Sequence, residues 1–292
     1  MAQSTPAPVP ELKTYNGNCH CGAFKFSVQM PDIKSVVECN CSICFRKGYK
    51  WAFPGEGPFT IERGGGDLKE YEFGVKSMVH KFCGVCGIGI GGSRHAAPPG
   101  QQLGINVRTL QDVDLWALEV NKYDGCAIAP AYEAPKYKGP EPTAEIENAK
   151  TYTGSCHCGA VTMALKTKEP LSGGSEHIQE CNCSICARNG TILTYPASDQ
   201  VHIENKGSLT SYVFGRGFQS HEFCGICGVS VYIKKLDVSD EAWEKESGKG
   251  RSKEVWKGIC PVNLRCFDCV EWDAIQVKKG YYKDVGREYV VE

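Results

Sequence analysis

The sequence lacks a long apolar run, an excess of basic residues and an apolar leader segment. No stretch approaches the roughly 20 apolar residues that a membrane-spanning helix needs. Lysine and arginine total 33 against 34 aspartate and glutamate, so the basic footprint of a nucleic-acid binder is missing. Residues 1–11 are typical of a disordered tail and not of a signal peptide. We therefore expect a soluble protein of a reducing compartment, cytoplasmic or nuclear, without nucleic-acid or membrane partners.

Cysteine, by contrast, is abundant, with 18 in 292 residues. In a reducing compartment, closely spaced cysteines are more often metal ligands than disulfides. Fourteen of them form two sets with the same order of spacings: C-x-C, then C-x-C-x-x-C, then C-x-x-C. The first set is Cys19, Cys21, Cys39, Cys41, Cys44, Cys83 and Cys86, and the second is Cys156, Cys158, Cys181, Cys183, Cys186, Cys224 and Cys227.

The two sets are separated by roughly the length of a domain, which indicates a tandem duplication. We expect a first domain over residues 12–135, a proline-rich linker over 136–149 and a second domain over 150–292, each with its own core. The second copy carries an insertion near residues 233–257, which is typical of a short capped helix followed by a glycine-rich loop.

Apolar and polar residues alternate over short stretches in both copies. Phe24, Phe26 and Val28 alternate with Lys25 and Ser27. The same pattern occurs around Leu103, Ile105 and Val107, and around Val161, Met163 and Leu165. Period-two alternation with many glycines predicts small antiparallel sheets that bury one face, so each domain should be mostly β.

Seven cysteines per copy are more than one tetrahedral zinc site requires. Four thiolates close a structural site, and three leave the open position that a catalytic zinc needs. The C-x-x-C knuckle supplies only two ligands, so it needs a second pair to close a site. The C-x-C pair is the natural partner, because the motif that is then left, C-x-C-x-x-C, can surround an ion by itself without closing a long loop. The spacing alone leaves open that all seven are structural, or that the trio is part of a binuclear site.

These motifs resemble the glutathione-dependent formaldehyde-activating enzyme family, which also includes centromere protein V. The pattern G-x-C-x-C-G, C-x-C-S-x-C, F-C-x-x-C-G and a late V-N-x-R occurs twice, with Ile105 in place of the late valine in the first copy. The resemblance covers nearly the whole chain apart from the tail and the linker.

The resemblance implies a mostly β architecture of two tandem β-tent zinc domains with two zinc ions each, four in total. It implies structural zinc sites at Cys19, Cys21, Cys83 and Cys86, and at Cys156, Cys158, Cys224 and Cys227. It implies catalytic-type sites at Cys39, Cys41 and Cys44, and at Cys181, Cys183 and Cys186. The family name implies that glutathione, as cosubstrate, adds to formaldehyde to give S-hydroxymethylglutathione, formally a carbon–sulfur lyase reaction run in reverse.

The carboxylates of a bound glutathione require cationic partners. Arg46, Lys47 and Arg188 follow the trios directly, and Arg108 and Arg265 lie in the predicted late strand. Each is also consistent with an ordinary salt bridge.

Two pairs of histidines flank the zinc motifs. His80 and His221 precede the knuckles and are candidates for proton shuttles or for packing. His20 and His157 lie inside C-x-C, where we expect their rings to point away from the metal.

Four cysteines lie outside the repeated pattern, and we expect them to be buried free thiols. They are Cys126, Cys260, Cys266 and Cys269.

Two other functions remain open at this stage: an enzyme of the same fold acting on another small electrophile, and a non-catalytic zinc scaffold. The intact trio in both copies favours catalysis, because a scaffold needs only the four-ligand sites.

Overall fold

The computed structural model describes residues 11–128, 130–246, 252–283 and 289–291, and the chain is mostly β, as predicted. The tail and the glycine-rich loop predicted within the insertion fall largely outside these residues. The elements of the first repeat are β1 (Leu12–Asn18), β2 (Lys25–Pro31), β3 (Ser35–Cys39), α1 (Ser42–Lys47), β4 (Trp51–Ala52), β5 (Phe59–Arg63), β6 (Leu68–Tyr71), β7 (Met78–Cys83), β8 (Gly89–Arg94), β9 (Leu103–Asn106) and β10 (Glu119–Tyr123).

The second repeat has the same succession of elements with two added helices. Its elements are β11 (Lys150–Ser155), β12 (Val161–Thr167), β13 (Ile178–Cys181), α2 (Ser184–Asn189), β14 (Ile192–Thr194), β15 (Val201–Asn205), β16 (Leu209–Val213), β17 (Gln219–Cys224), β18 (Ser230–Lys235), α3 (Asp240–Glu246), α4 (Lys253–Lys257), β19 (Val262–Asn263) and β20 (Lys278–Gly280). The domain boundaries, with the linker over 136–149, stay a prediction.

Each repeat contains a three-stranded and a seven-stranded sheet. The first repeat has the orders β1-β2-β5 and β10-β3-β4-β9-β8-β7-β6, and the second has β11-β12-β15 and β20-β13-β14-β19-β18-β17-β16. The small antiparallel sheets that the sequence predicts are present, and one edge of each seven-stranded sheet is parallel. The last strand of each repeat crosses back and runs parallel to the strand that leads into the trio, so β10 pairs with β3 and β20 with β13.

The alternation seen in the sequence produces the buried faces of the small sheets. In β2, Phe26, Val28 and Met30 are buried while their neighbours are half-buried or exposed. The close approach of this strand to β1 depends on Gly17, because a Cβ there would lie 2.2 Å from the Phe26 ring.

The two repeats share their cores, contrary to the expectation of one core per domain. Ile43 and Cys44 of α1 pack in a cluster with Met163 and other residues of the second repeat. Ile185 and Cys186 of α2 pack in the cluster built by the first repeat. Each short helix thus inserts its apolar side into the other half of the chain.

The helices α1 and α2 end at the point where the repeats meet. Gly48 and Gly190, which follow the two helices, have φ angles of 58° and 61°, values that favour glycine. A Cβ on Gly48 would lie 2.5 Å from the Gly190 carbonyl oxygen, and a Cβ on Gly190 would lie 2.7 Å from the Gly48 carbonyl oxygen. Glycine at both positions therefore allows the two backbones to touch.

The insertion contains the predicted helix, α3, and Ser239 accepts a hydrogen bond from the Ala242 amide at its start. It is more than a surface addition, because Trp243 is buried and stacks on Phe218, and Trp256 of α4 packs on both. Within the described residues, no helix is long and apolar enough to cross a membrane.

The alternation predicted that the strand continues through the late V-N-x-R segment. In the structure the strand ends within this segment. Val107–Thr109 and Leu264–Cys266 are 3-10 turns. Asn106 and Asn263 cap these turns by accepting hydrogen bonds from the amides of Arg108 and Arg265. Capping stops the strand, and it places both arginines at the junction between the repeats.

Candidate metal centres and cleft

The two groups of four cysteines each form a compact sulfur cluster, in which all four sulfurs lie within 4.8 Å of one another. The Cys19–Cys21 and Cys21–Cys83 sulfur distances are 3.5 and 3.6 Å, and the corresponding distances in the second repeat are both 3.6 Å. A tetrahedral ion with 2.3 Å metal–sulfur bonds would need edges of about 3.8 Å. The donor set and its spacing therefore fit zinc.

Each four-cysteine cluster ties the end of one strand to a distant hairpin. Cys19 follows β1, and Cys83 and Cys86 lie at the turn from β7 to β8. The amide of Phe24 donates to the Cys19 sulfur at 3.3 Å, and that of Val161 donates to Cys156 at the same distance. Cys19 and Cys156 are completely buried, whereas Cys21 and Cys158 are half-buried, so each cluster lies mostly in the interior of the protein.

The other six cysteines of the repeated pattern form two three-sulfur clusters, in which the sulfurs also lie within 4.8 Å of one another. In the first, Cys39 ends β3, Cys41 precedes α1 and Cys44 lies inside the helix. Cys44 is buried, whereas Cys39 and Cys41 are half-buried and border a cleft. The second cluster is built in the same way by β13 and α2.

Neighbouring thiols promote ionisation inside each trio. Hydrogen bonds from the Cys41 and Cys44 thiols lower the pKa of Cys39 to about 3. In the second repeat, Cys181 and Cys186 lower the pKa of Cys183 to about 2 in the same manner. The same contacts raise the pKa values of the other two thiols of each trio, so they favour one member of each trio as the thiolate, the form of cysteine that binds metals.

The first trio lies in a large cleft with a volume of about 1260 Å³. Its walls come from both repeats, because His157 and Asp268 line it together with α1. Tyr132 of the segment between the repeats also contributes. A second aromatic residue, Trp51, donates its indole N–H to the Cys44 sulfur at 3.2 Å.

A histidine from each repeat reaches the trio of the other. Nε2 of His157 shares a 2.9 Å hydrogen bond with Ser42 Oγ, and Nδ1 shares one of 2.7 Å with the Tyr71 hydroxyl. His20 is bonded in the same way to Ser184 and Tyr212, at 2.9 and 2.8 Å. The ring nitrogens of both histidines therefore form hydrogen bonds with the opposite repeat. This agrees with the expectation that the rings point away from the metal.

Tyrosines that follow the last strand of each repeat cover these histidines. Tyr132 stacks on the ring of His157 and donates to its carbonyl oxygen at 2.6 Å. Tyr289 stacks on His20 in the equivalent position. The sequence analysis did not predict these contacts. The repeated Y-x-F-G motif, which contains Tyr71 and Tyr212, was the signal that pointed to two of the hydrogen-bond partners.

Arg108 and Arg265 lie in the junction between repeats and do not line the cleft. Arg108 donates to the Gly48 and Ala187 carbonyls and to the Glu180 carboxylate, at 2.6, 3.0 and 3.1 Å. Arg265 donates to the Gly190 carbonyl at 2.8 Å. These bonds occupy the guanidinium groups, so we do not assign thiol binding to either residue.

Arg46 does line the cleft, but it is paired there. It donates to the Asp268 carboxylate at 3.0 Å and to the Ser155 carbonyl at 3.3 Å, and its guanidinium lies over the Tyr132 ring. Asp268 therefore offsets most of the positive charge that an anionic ligand would find there.

The basic residues beside α1 and α2 are also engaged. Arg188 donates to the Ser184 carbonyl at 3.1 Å and lies over the Tyr289 ring. Lys47 is buried and donates to the Gly228 carbonyl at 2.7 Å, and burial lowers its pKa to about 8.

All 18 cysteines are free thiols, which agrees with the metal interpretation and not with disulfides. The expectation that the four additional cysteines are buried was right for Cys266 and wrong for Cys126 and Cys269, which are exposed, while Cys260 is half-buried. The Cys126 thiol donates to the Asn40 carbonyl at 2.8 Å, which holds it at the mouth of the cleft.

The knuckle histidines are buried and neutral. Burial lowers the pKa of His80 to about 3 and that of His221 to about 4. Nδ1 of His80 and Nε2 of His221 have no hydrogen-bond partner among the described residues. His80 lines the cleft, stacked against Tyr49 and Phe73.

Comparison with known proteins connects this site with a described family. Residues 14–124 and 151–257, together more than half of the chain, each match the family described as glutathione-dependent formaldehyde-activating enzyme. A crystal structure of a Rhodobacter sphaeroides protein is 29% identical over 36% of this chain and 99% of that one, with a TM-score of 0.33.

Proposed function

This chain belongs to the glutathione-dependent formaldehyde-activating enzyme family, and we propose that it is a zinc-dependent enzyme of the carbon–sulfur lyase type. It would join glutathione, or a similar thiol, to a small aldehyde such as formaldehyde, or cleave the adduct. The observation that carries this proposal is the pairing, in one repeat, of a closed four-sulfur cluster with a three-sulfur cluster that borders a cleft.

The three-sulfur cluster suits the activation of a thiol. Cys39, Cys41 and Cys44 would hold a zinc ion and leave one side facing the cleft. When bound, that ion would supply the positive charge that stabilises an incoming thiolate. The sulfur then attacks the aldehyde carbon, so a carbon–sulfur bond forms and the carbonyl π electrons move to oxygen. The thiol proton ends on that oxygen.

His80 is the candidate for relaying this proton. Its Nδ1 is without a partner among the described residues, and its ring borders the same cleft as the trio. Tyr71 and His157, which are bonded to one another, line the same cleft, and Phe73 packs on both His157 and His80.

Of the proposed thiol-binding cations, Arg46 retains support because it lines the cleft, and Arg188 occupies the equivalent place beside the second trio. The same geometry suits an enzyme acting on another small electrophile. A purely structural scaffold is less well supported, because such a protein needs no trio beside a cleft.

Exchange spectroscopy by NMR tests the proposal, because glutathione and formaldehyde form their adduct spontaneously and a catalyst accelerates the exchange. We expect the protein to accelerate exchange and the double variant Cys41→Ser/Cys183→Ser to abolish the acceleration. Cys269→Ser, which alters an exposed thiol that belongs to neither trio and does not line the cleft, is the matched control. Equal acceleration by all three proteins would contradict the proposal.

A further inference from the structure

The cleft beside the first trio is much larger than formaldehyde requires. Its volume of about 1260 Å³ exceeds the roughly 300–1,000 Å³ of pockets that enclose drug-sized ligands. A thiol adduct of a one-carbon aldehyde adds only a hydroxymethyl group to the sulfur. Glutathione itself would fill part of this space, so the chemistry of the cleft walls decides which aldehyde substituent fits the rest.

The walls of this space are aromatic and apolar. Trp51, which is buried, and Phe73 and Met78, which are half-buried, line it. Phe53 and Val75 line it and are exposed to solvent, which is costly unless a ligand covers them. Lining of this kind binds apolar groups through burial and ring stacking.

The second repeat serves as an internal comparison, because strand register fixes the equivalent positions. Trp51 pairs with Asn106, as Leu193 pairs with Asn263. Leucine thus stands in the second repeat where the first has the tryptophan that contacts Cys44.

The same comparison at the rim shows apolar residues replaced by polar ones. Met78 pairs with Arg94, as Gln219 pairs with Lys235. In the segments F-G-V and F-G-R, Val75 corresponds to Arg216. Met78 and Val75 thus have polar counterparts and Trp51 a smaller one, so the fold itself does not demand them, whereas Phe73 recurs in the second copy as Phe214.

We propose that the cleft of the first repeat accepts thiol adducts of bulky apolar aldehydes, and of aromatic aldehydes in particular. This inference rests on the proposed function and specifies its substrate class. The thiol sulfur bonds to the carbonyl carbon, the π pair moves to oxygen, and that oxygen takes the thiol proton. Nothing is oxidised or reduced. The ring of the aldehyde lies against Trp51 and Phe73.

Isothermal titration of the full-length zinc-loaded protein with two stable thioethers tests this. S-benzylglutathione carries an aromatic ring at the position of the aldehyde substituent, and S-methylglutathione carries one carbon. We expect the benzyl compound to bind about tenfold more tightly or better, because a buried ring removes a large apolar area from water. Equal affinities, or tighter binding of the methyl compound, would overturn the inference.

Variants that carry the residues of the second repeat test whether the side chains of the cleft cause the preference for the benzyl compound. Trp51→Leu/Met78→Gln should remove most of the benzyl preference, and because Trp51 also donates to the Cys44 sulfur, S-methylglutathione binding by this variant measures any disturbance of the trio. Since Trp51 is buried, Val75→Arg provides a variant that does not disturb the core, with Val85→Arg as control. Both valines are exposed, at 69% and 54%, but only Val75 lines the cleft. A preference that survives both cleft variants would contradict the assignment.

The outcomes separate this inference from the proposed function. Catalysed formaldehyde exchange without a benzyl preference overturns the substrate class alone. Absence of both exchange and thioether binding overturns the two together.

Discussion

His157 of the second repeat lies 2.9 Å, through Nε2, from the hydroxyl oxygen of Ser42, the residue that follows Cys41 in the trio of the first repeat. His20 and Ser184 form the same bond in the opposite direction, at 2.9 Å. Because each histidine also lies between two cysteines of a four-sulfur cluster, the structural site of one repeat is linked to the trio of the other. The two halves are therefore interdependent.

Ser42→Ala should destabilise the protein, because it leaves a buried ring nitrogen of His157 without a partner. An unsatisfied buried polar group costs about 1–3 kcal/mol. Urea unfolding followed by circular dichroism measures the change in the free energy of unfolding. Ser35→Ala, at an exposed position of β3, is the control, and a loss no larger than that of the control would show that the bond is unimportant.

A fragment comprising residues 1–135 should not fold cooperatively by itself. Ile43 and Cys44 pack in the cluster of the second repeat, so the isolated fragment would expose them. Mixing it with residues 136–292 should restore the native circular dichroism spectrum. A cooperative unfolding transition of a monomeric first fragment would contradict the shared core.

Acid should weaken the fold through His80 and His221. Burial lowers their pKa values to about 3 and about 4, below the ordinary value of 6.5. The unfolded chain therefore binds protons that the folded chain excludes, so this contribution to stability is complete above pH 6.5 and declines as the pH falls toward 4.

We expect His80→Gln and His221→Gln each to flatten the dependence of the unfolding free energy on pH between 6.5 and 4. Urea titrations at a series of pH values measure this slope. His95→Gln, on an exposed side chain, is the control. Slopes identical to that of the unaltered protein would refute the prediction.

Loss of one sulfur from a closed cluster should unfold the chain. Cys86→Ser removes a buried ligand, and structural zinc supplies on the order of 10 kcal/mol of folding free energy. Circular dichroism should show loss of native structure for Cys86→Ser and Cys227→Ser, whereas Cys41→Ser should keep the native spectrum. Native spectra for both kinds of variant would refute a structural role for the closed clusters.

Local features of this fold were predictable from sequence, and contacts between the repeats were not. Alternation located β2 and β12 because a half-buried strand dictates which side chains are apolar. Cysteine spacing correctly grouped the sulfurs, because short C-x-C and C-x-x-C turns restrict the geometry. The insertion of Ile43 into the other repeat leaves no such periodic signal.

The arginines illustrate the same limit. Arg108 follows a strand in a repeated motif. A basic residue at this position is suited to donate either to the carboxylate of a ligand or to a backbone carbonyl, so the sequence does not identify its partner. Only the approach of Gly48 to Gly190 places carbonyl oxygens within reach of Arg108. The sequence shows the hydrogen-bond donor, but the acceptor carbonyl groups come within reach only through the packing of two distant segments.

The metal content of the protein shows whether the sulfurs divide into closed four-cysteine sites and open three-cysteine sites. Elemental analysis of the purified protein and of Cys41→Ser/Cys183→Ser gives the number of zinc ions per chain. We predict four ions in the unaltered protein and two in the double variant, with native circular dichroism for both. Two ions in each protein, or loss of all metal from the variant, would contradict the claim.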